Sequence, residues 1–316
     1  MRTFLPALVF CLTALSAFSQ PDMDTPSEVK AGVYVISVHD INFRDKEYTL
    51  RFWLWFIYDN PSFDFAGQLD IPNAKDIEIQ ENIYDSLDNK RWVIMKMKCT
   101  MKNSWSVHDF PFDQQRLKMH IENTLFDKRS LIFVPDHEGS SIDPEEAIDG
   151  WNITSFKVSE SNNDYLTGFG DPHSKNQNFS SFDVSIGLER SAWGLFFKIF
   201  LGMYIAFMIA TISFTPHPSE LEPRFGLPVG GLFAAVGNKY IIDSLLPESS
   251  AFTLVDTLHA LTFVGIFAIL LVSAIALKQY DNGKKELAEE TNRKGMWIVI
   301  IAYAACNIVF VTLAII

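Results

Sequence analysis

Hydrophobic positions follow two different patterns along this chain, and the change comes near Arg190. Before it, several runs alternate polar and apolar residues with period two, the mark of strands buried on one face. Met95, Met97, Cys99 and Met101 oppose Lys96, Lys98, Thr100 and Lys102. Leu117, Met119 and Ile121 oppose Arg116, Lys118, His120 and Glu122, and Phe182, Val184, Ile186 and Leu188 oppose Asp183, Ser185 and Glu189. The run 50–57 is apolar on both faces, as suits an inner strand, and 32–38 and 151–158 are further candidates. Turns rich in Asn, Asp, Gly and Pro separate these runs. The pattern predicts an antiparallel, immunoglobulin-like β-sandwich over residues 20–190.

After Arg190 come four apolar segments, at about 193–215, 225–246, 252–277 and 296–316. Each approximates the roughly 20 residues that cross a bilayer. They predict an all-α four-helix transmembrane bundle over residues 191–316, with one polar loop at 278–294. The second segment is the least lipid-like, because it carries Gly226, Gly230, Gly231, Gly237, Pro228, Asn238, Lys239 and Asp243. A helix wrapped in hydrocarbon is apolar all round, since lipid supplies no hydrogen-bond partners. A polar, small-residue helix at membrane depth faces protein and water, as a pore-lining helix does, or packs closely on its neighbours through its glycines. Composition leaves both readings open. Lys198 in the first segment must face a partner or snorkel.

The first 19 residues combine Arg2, an apolar run and Ala17-Phe18-Ser19, which reads as a secretory signal peptide. An exported sandwich followed by four crossings returns the C-terminus to the outer side and leaves 278–294 in the cytoplasm. Lys278, Lys284, Lys285, Arg293 and Lys294 in that stretch agree with the positive-inside rule. The expected location is a cell membrane, crossed several times, with the N-terminal domain periplasmic or extracellular.

A net charge of -12, carried mainly by the first part, excludes nucleic acid as a partner. Cys99 and Cys306 fall in different domains, so no disulfide is expected between them. His39, His108, His120, His137 and His173 are scattered without metal-ligand spacing. No Ser-His-Asp set, phosphate loop or paired-carboxylate signature stands out. Neither an enzyme nor a bound metal or cofactor is expected.

A signal peptide, a sandwich and four helices with a polar second one resemble the pentameric ligand-gated ion channels. Three local matches carry the resemblance over most of residues 30–316. Phe110-Pro111-Phe112-Asp113 looks like the aromatic-Pro-x-Asp at the centre of the family's signature loop. Gly150-Trp151-Asn152-Ile153 resembles the stretch opening a late strand, and Arg190 matches an arginine just before the first helix. The cysteines that close the signature loop in animal receptors are replaced by Asn103 and Leu117, which with the short cytoplasmic loop is similar to prokaryotic members.

The resemblance implies a homopentamer that conducts ions in response to a small-molecule agonist, which the sequence does not name. It implies coupling of sandwich to helices through Phe110, Pro111, Asp113, Arg190 and Pro247, with Asp113 and Arg190 paired. It places the agonist between subunits, where Phe133, Tyr165, Phe169 and Phe179 are the nearest aromatics, though each also suits core or loop packing. The early Trp-x-Pro motif appears as Asp70-Ile71-Pro72, without its tryptophan.

The resemblance also aligns Pro223-Arg224-Phe225-Gly226-Leu227 with the start of the pore helix. Steps of three and four then set Glu222, Gly226, Gly230, Phe233, Gly237, Tyr240 and Ser244 along one stripe, each a ring on fivefold repetition. Phe233 would gate by dewetting, or else pack between helices. The Pro-Arg-x-Gly-Leu run looks like the anion-conducting branch, but a carboxylate ring at Glu222 favours cations. Cation selectivity is expected; an anion channel of the same family and a non-conducting, membrane-anchored ligand sensor are the alternatives.

Overall fold

A computed structural model of the protein describes residues 25–170, 175–247 and 251–316. The predicted signal peptide and His173 lie outside them. The sandwich is built from β1 (Ser27–Asn42), β2 (Glu47–Tyr58), a one-turn helix α1 (Phe65–Gln68), β3 (Leu69–Asp70), β4 (Ala74–Leu87) and β5 (Lys90–Lys102). It continues through β6 (Gln114–Asn123), β7 (Leu131–Pro135), β8 (Ser141–Ile142), β9 (Trp151–Tyr165) and β10 (Gln177–Arg190). One sheet runs β4-β5-β2-β1-β7 with β8 beside β1; the other runs β3-β6-β10-β9. All six predicted strands fall inside these elements.

Three details differ from the sequence expectation. The pairing is not wholly antiparallel, because β1 lies parallel to both β7 and β8. The run 50–57 is not buried on both faces: Leu50, Phe52, Leu54 and Phe56 are, while Arg51, Trp53 and Trp55 are half-buried. Only one side of its sheet meets the other sheet. Strand β4 was not foreseen; it is exposed from Lys75 to Leu87, so no buried face marks it. It turns into β5 through Asp88 and Asn89, both at positive φ, the conformation tight hairpins need.

The sandwich core is aromatic at one end, where Phe56 stacks on Phe65 at 4.0 Å and both meet Phe133. Met95, Met97 and Cys99 of β5 and Phe182, Val184 and Ile186 of β10 continue it. Each such large side chain adds roughly 1.5–3 kcal/mol by leaving water.

The helices are α2 (Ala192–Ile212), α3 (Leu221–Asp243), α4 (Leu254–Asp281) and α5 (Lys285–Ile315), and all four are long and apolar enough to cross a membrane. The stretch 278–294 is not the loop expected: α4 runs on to Asp281, and α5 begins eleven residues before Met296. Lys, Glu, Leu and Ala in this stretch are strong helix formers, and Glu290 pairs with Lys294 one turn on. Its polarity signals the end of the apolar span, not the end of the helix. The reversal is confined to residues 282–284, where Gly283 sits at φ +76°. Lys198 lies on the exposed side of α2, about 9 Å along the helix from its start, within reach of a headgroup layer there.

Candidate functional site

Helix α3 has two opposite faces. Arg224, Pro228, Gly231, Ala235 and Ile242 are buried against the other helices. Glu222, Gly226, Gly230, Phe233, Gly237, Tyr240 and Ser244 are all exposed, with Phe233 and Tyr240 at 72% and 78%. At about 100° per residue, the centres of these two sets stand roughly 180° apart. The predicted stripe is therefore the face that α3 turns away from its own bundle.

The glycines sort the same way. A Cβ on Gly226, Gly230 or Gly237 would meet nothing within 4 Å, whereas one on Gly231 would lie 2.6 Å from the Ala206 carbonyl oxygen. Gly231 is thus the contact that brings α3 against α2. Gly231→Ala is expected to lower the thermal midpoint, by the about 1–3 kcal/mol that overpacking costs. Gly230→Ala should hold or raise it, through better helix propensity. Equal shifts in thermal melts of the two variants would mean that α3 is rotated from this register.

Side-chain ties fix that rotation. Arg224 is fully buried and donates to the Pro216 carbonyl at 2.9 Å and to Asn292 Oδ1 at 2.6 Å. Asn292 in turn donates to the Phe214 carbonyl, so α5 and the α2–α3 turn are stitched together around Arg224. Asn238 donates to the Ile199 carbonyl of α2, and its Oδ1 lies 3.1 Å from His259 Nε2 of α4. Lys239 meets Asp243 at 2.6 Å and Asp256 at 2.7 Å. The charged and amide groups of α3 other than Glu222 are thereby spent inside the subunit.

The sandwich meets the helices through the loop between β5 and β6. Asp113 and Arg190 form a two-point ion pair, 2.7 and 3.1 Å, with side chains only 1% and 11% exposed. The guanidinium is caged by Trp151 at 4.0 Å, Phe43 at 4.8 Å and Phe110 at 5.0 Å, so cation–π attraction adds to the pair. Gln115 donates to the second oxygen of Asp113. One residue before Asp113, Phe112 packs on Trp193 and Phe196 of α2. His108, on the same loop, accepts a hydrogen bond from Leu254 N at the start of α4. Pro111 is buried, and so is Pro247, just beyond the end of α3. The β1–β2 turn, Arg44 to Lys46, borders a cleft with Tyr240 and Ser244.

Far from this junction, Tyr165, Phe169 and Phe179 come together, with ring centroids 5.5 and 5.7 Å from Tyr165. They line a cavity of about 730 Å³ with Asp70, Pro72 and Glu122. Phe133 is not with them. It points inward from β7 and is fully buried between Phe56 and Phe65, so it is removed from the binding set. Glu122 is only 2% exposed and accepts from Asn163 and Tyr165. Burial pushes its carboxyl above the usual range, against those two hydrogen bonds, and lifts the Tyr165 hydroxyl to about 12. An acidic side chain and three aromatic rings lining one cavity are groups that suit a compact organic cation.

Below this cavity His120 Nδ1 lies 2.9 Å from Asp183. The hydrogen bond to Asp183 raises the histidine above its ordinary value, while burial and Lys118 oppose it. Burial alone would raise Asp183, but His120, Ser161 and Ser181 outweigh it and hold it below the usual range. The histidine's contribution is complete below its unfolded pKa, about 6.5, and is lost as pH rises through the raised folded value. The aspartate's is present above about 3.9 and lost as pH falls through its depressed value. The thermal midpoint should therefore drop as pH rises above about 6.5, and His120→Gln should flatten that slope. An unchanged slope would assign the effect elsewhere.

No protein-family description matches the chain, and no curated protein matches it significantly.

Sequence reasoning missed Glu122, which reads as one more outward residue of an alternating strand and is in fact buried. It also missed the Asn238–His259 tie and the Phe43 wall of the Arg190 cage. Each depends on which elements become neighbours; the one signal that could have pointed to any of them is His259, a polar residue in an apolar run.

Proposed function

We propose that the protein is a ligand-gated ion channel formed by five copies of this chain around a common axis, with α3 lining the pore. One observation carries the reading. The stripe Glu222 to Ser244, with its glycines and carboxylate, is the exposed face of a helix suited to cross a membrane. Such a face is costly against lipid and is relieved by water and by copies of itself. Fivefold repetition would set Phe233 as an apolar constriction, with Gly230 and Gly237 leaving the lumen wide on either side, and Glu222 as a carboxylate ring at the cytoplasmic mouth. Cations are the permeant ions in this reading.

The sandwich would lie outside the membrane. A small organic cation held by Tyr165, Phe169, Phe179 and Glu122 at a subunit border would act as the agonist. Its signal would pass through the loop that carries Phe110, Pro111, Phe112 and Asp113, which touches α2 and α4 and holds Arg190.

Purified protein in planar bilayers, screened against small cationic ligands, should give ligand-dependent current, and its mass in detergent should be near five chains. A monomer or dimer as the dominant species would remove this reading.

A further inference from the structure

We propose that the outward face of the β6-β10-β9 sheet carries a second ligand site, for a small dicarboxylate. The strand register builds it. Lys118 pairs with Ser185 of β10, which pairs with Lys157 of β9. One row up, His120 pairs with Asp183, which pairs with Ser159. Arg116 stands two residues before Lys118 on the same side of β6. Strands lie about 4.8 Å apart and alternate residues roughly 7 Å, so the cationic stems ring an area of about 10 by 7 Å.

The middle of that area is low, because Ser185 is small, and the face forms a cavity of about 560 Å³. Among the described residues Arg116, Lys118 and Lys157 form no ion pair with a carboxylate. The one carboxylate in the lining, Asp183, is occupied by His120 and Ser181. A chain with net charge -12 thus gathers three free cations around a single hollow.

Cations spaced across three strands suit an anion with charges at both ends better than a single compact one. Lys157 would hold one carboxylate, Arg116 and Lys118 the other, and the Ser185 hydroxyl could donate from the floor. The site is separate from the aromatic cavity and does not depend on conduction, since binding is read without current.

Calorimetric titration of the full-length protein in detergent with succinate, acetate and inorganic phosphate tests it. Succinate should bind, with acetate and phosphate far weaker. Lys157→Gln and Arg116→Gln should each weaken succinate by about tenfold or more, while Lys98→Gln on the other sheet should not. Raised salt should weaken it too. Three results would overturn the proposal: no heat with succinate, phosphate binding as tightly as succinate, or Lys157→Gln binding like wild type with its fold intact by circular dichroism. If succinate is silent and Arg116→Glu instead splits the oligomer, the face is a contact between copies.

Discussion

Asp113→Asn is expected to cost about 3–5 kcal/mol, because it strips the partner from a guanidinium that is almost fully buried. The cage of Phe43, Phe110 and Trp151 makes the loss worse, since three rings hold the guanidinium in place and limit how far it can turn to water. The amide still accepts one hydrogen bond but carries no charge and cannot engage both guanidinium nitrogens. Asp109→Asn is the control: its side chain is 46% exposed and its one ion-pair partner among the described residues is His108. That change should be near neutral, as exposed pairs usually are. Paired thermal melts decide the stability part. A double variant, Asp113→Asn with Arg190→Gln, should recover part of the loss, because both halves of the pair are then neutral. Under the channel reading Asp113→Asn also blunts agonist response, through the link from Phe112 to α2 and from His108 to α4. Equal and mild effects of Asp113→Asn and Asp109→Asn would contradict the buried geometry.

Under the proposed channel reading, Glu222→Gln should shift the reversal potential in asymmetric salt away from the cation limit and lower cation conductance. Five carboxylates at a constriction attract cations strongly, because water screens them poorly there. Arg224, two residues on, stands about 200° around the helix and cannot share the axis. Its place is with Pro216 and Asn292, inside the subunit. Arg224→Gln should therefore reduce the yield of folded protein while leaving ion preference intact. If wild type already follows the chloride potential, or if only the Arg224 change moves it, the cation reading is wrong and the resemblance of the Pro-Arg-x-Gly-Leu run to the anion-conducting branch was the better guide.

Period-two alternation made the buried strands legible, since the alternation is the imprint of one dry face. Strand β4 escaped for the same reason in reverse: Ile77, Ile79 and Ile83 are exposed on a sheet edge, and a register shift falls between Ile79 and Glu81. Apolar length placed four helices but not their ends, because propensity carries α4 and α5 beyond the apolar span. The stripe on α3 took its register from the family resemblance at 223–227, and steps of three and four from Glu222 did the rest. Phe133 was misplaced because an inward phenylalanine of a short strand and a ligand-facing one look alike until the fold is known. Asp113 and Arg190 lie 77 positions apart, and it was the family resemblance, with two charges at a strand–helix junction, that implied they meet.

The central claim is that the exposed face of α3 is wet. Cysteines placed singly along α3, in a background with Cys306→Ser, can be challenged with a charged, water-soluble thiol reagent while current or mass is followed; Cys99 is buried and stays silent. Modification at Gly226, Gly230, Phe233, Gly237 and Tyr240, with protection at Pro228, Ala235 and Ile242, is the expected pattern. Protection along the Gly226–Tyr240 stripe, or labelling with no helical period, would contradict it.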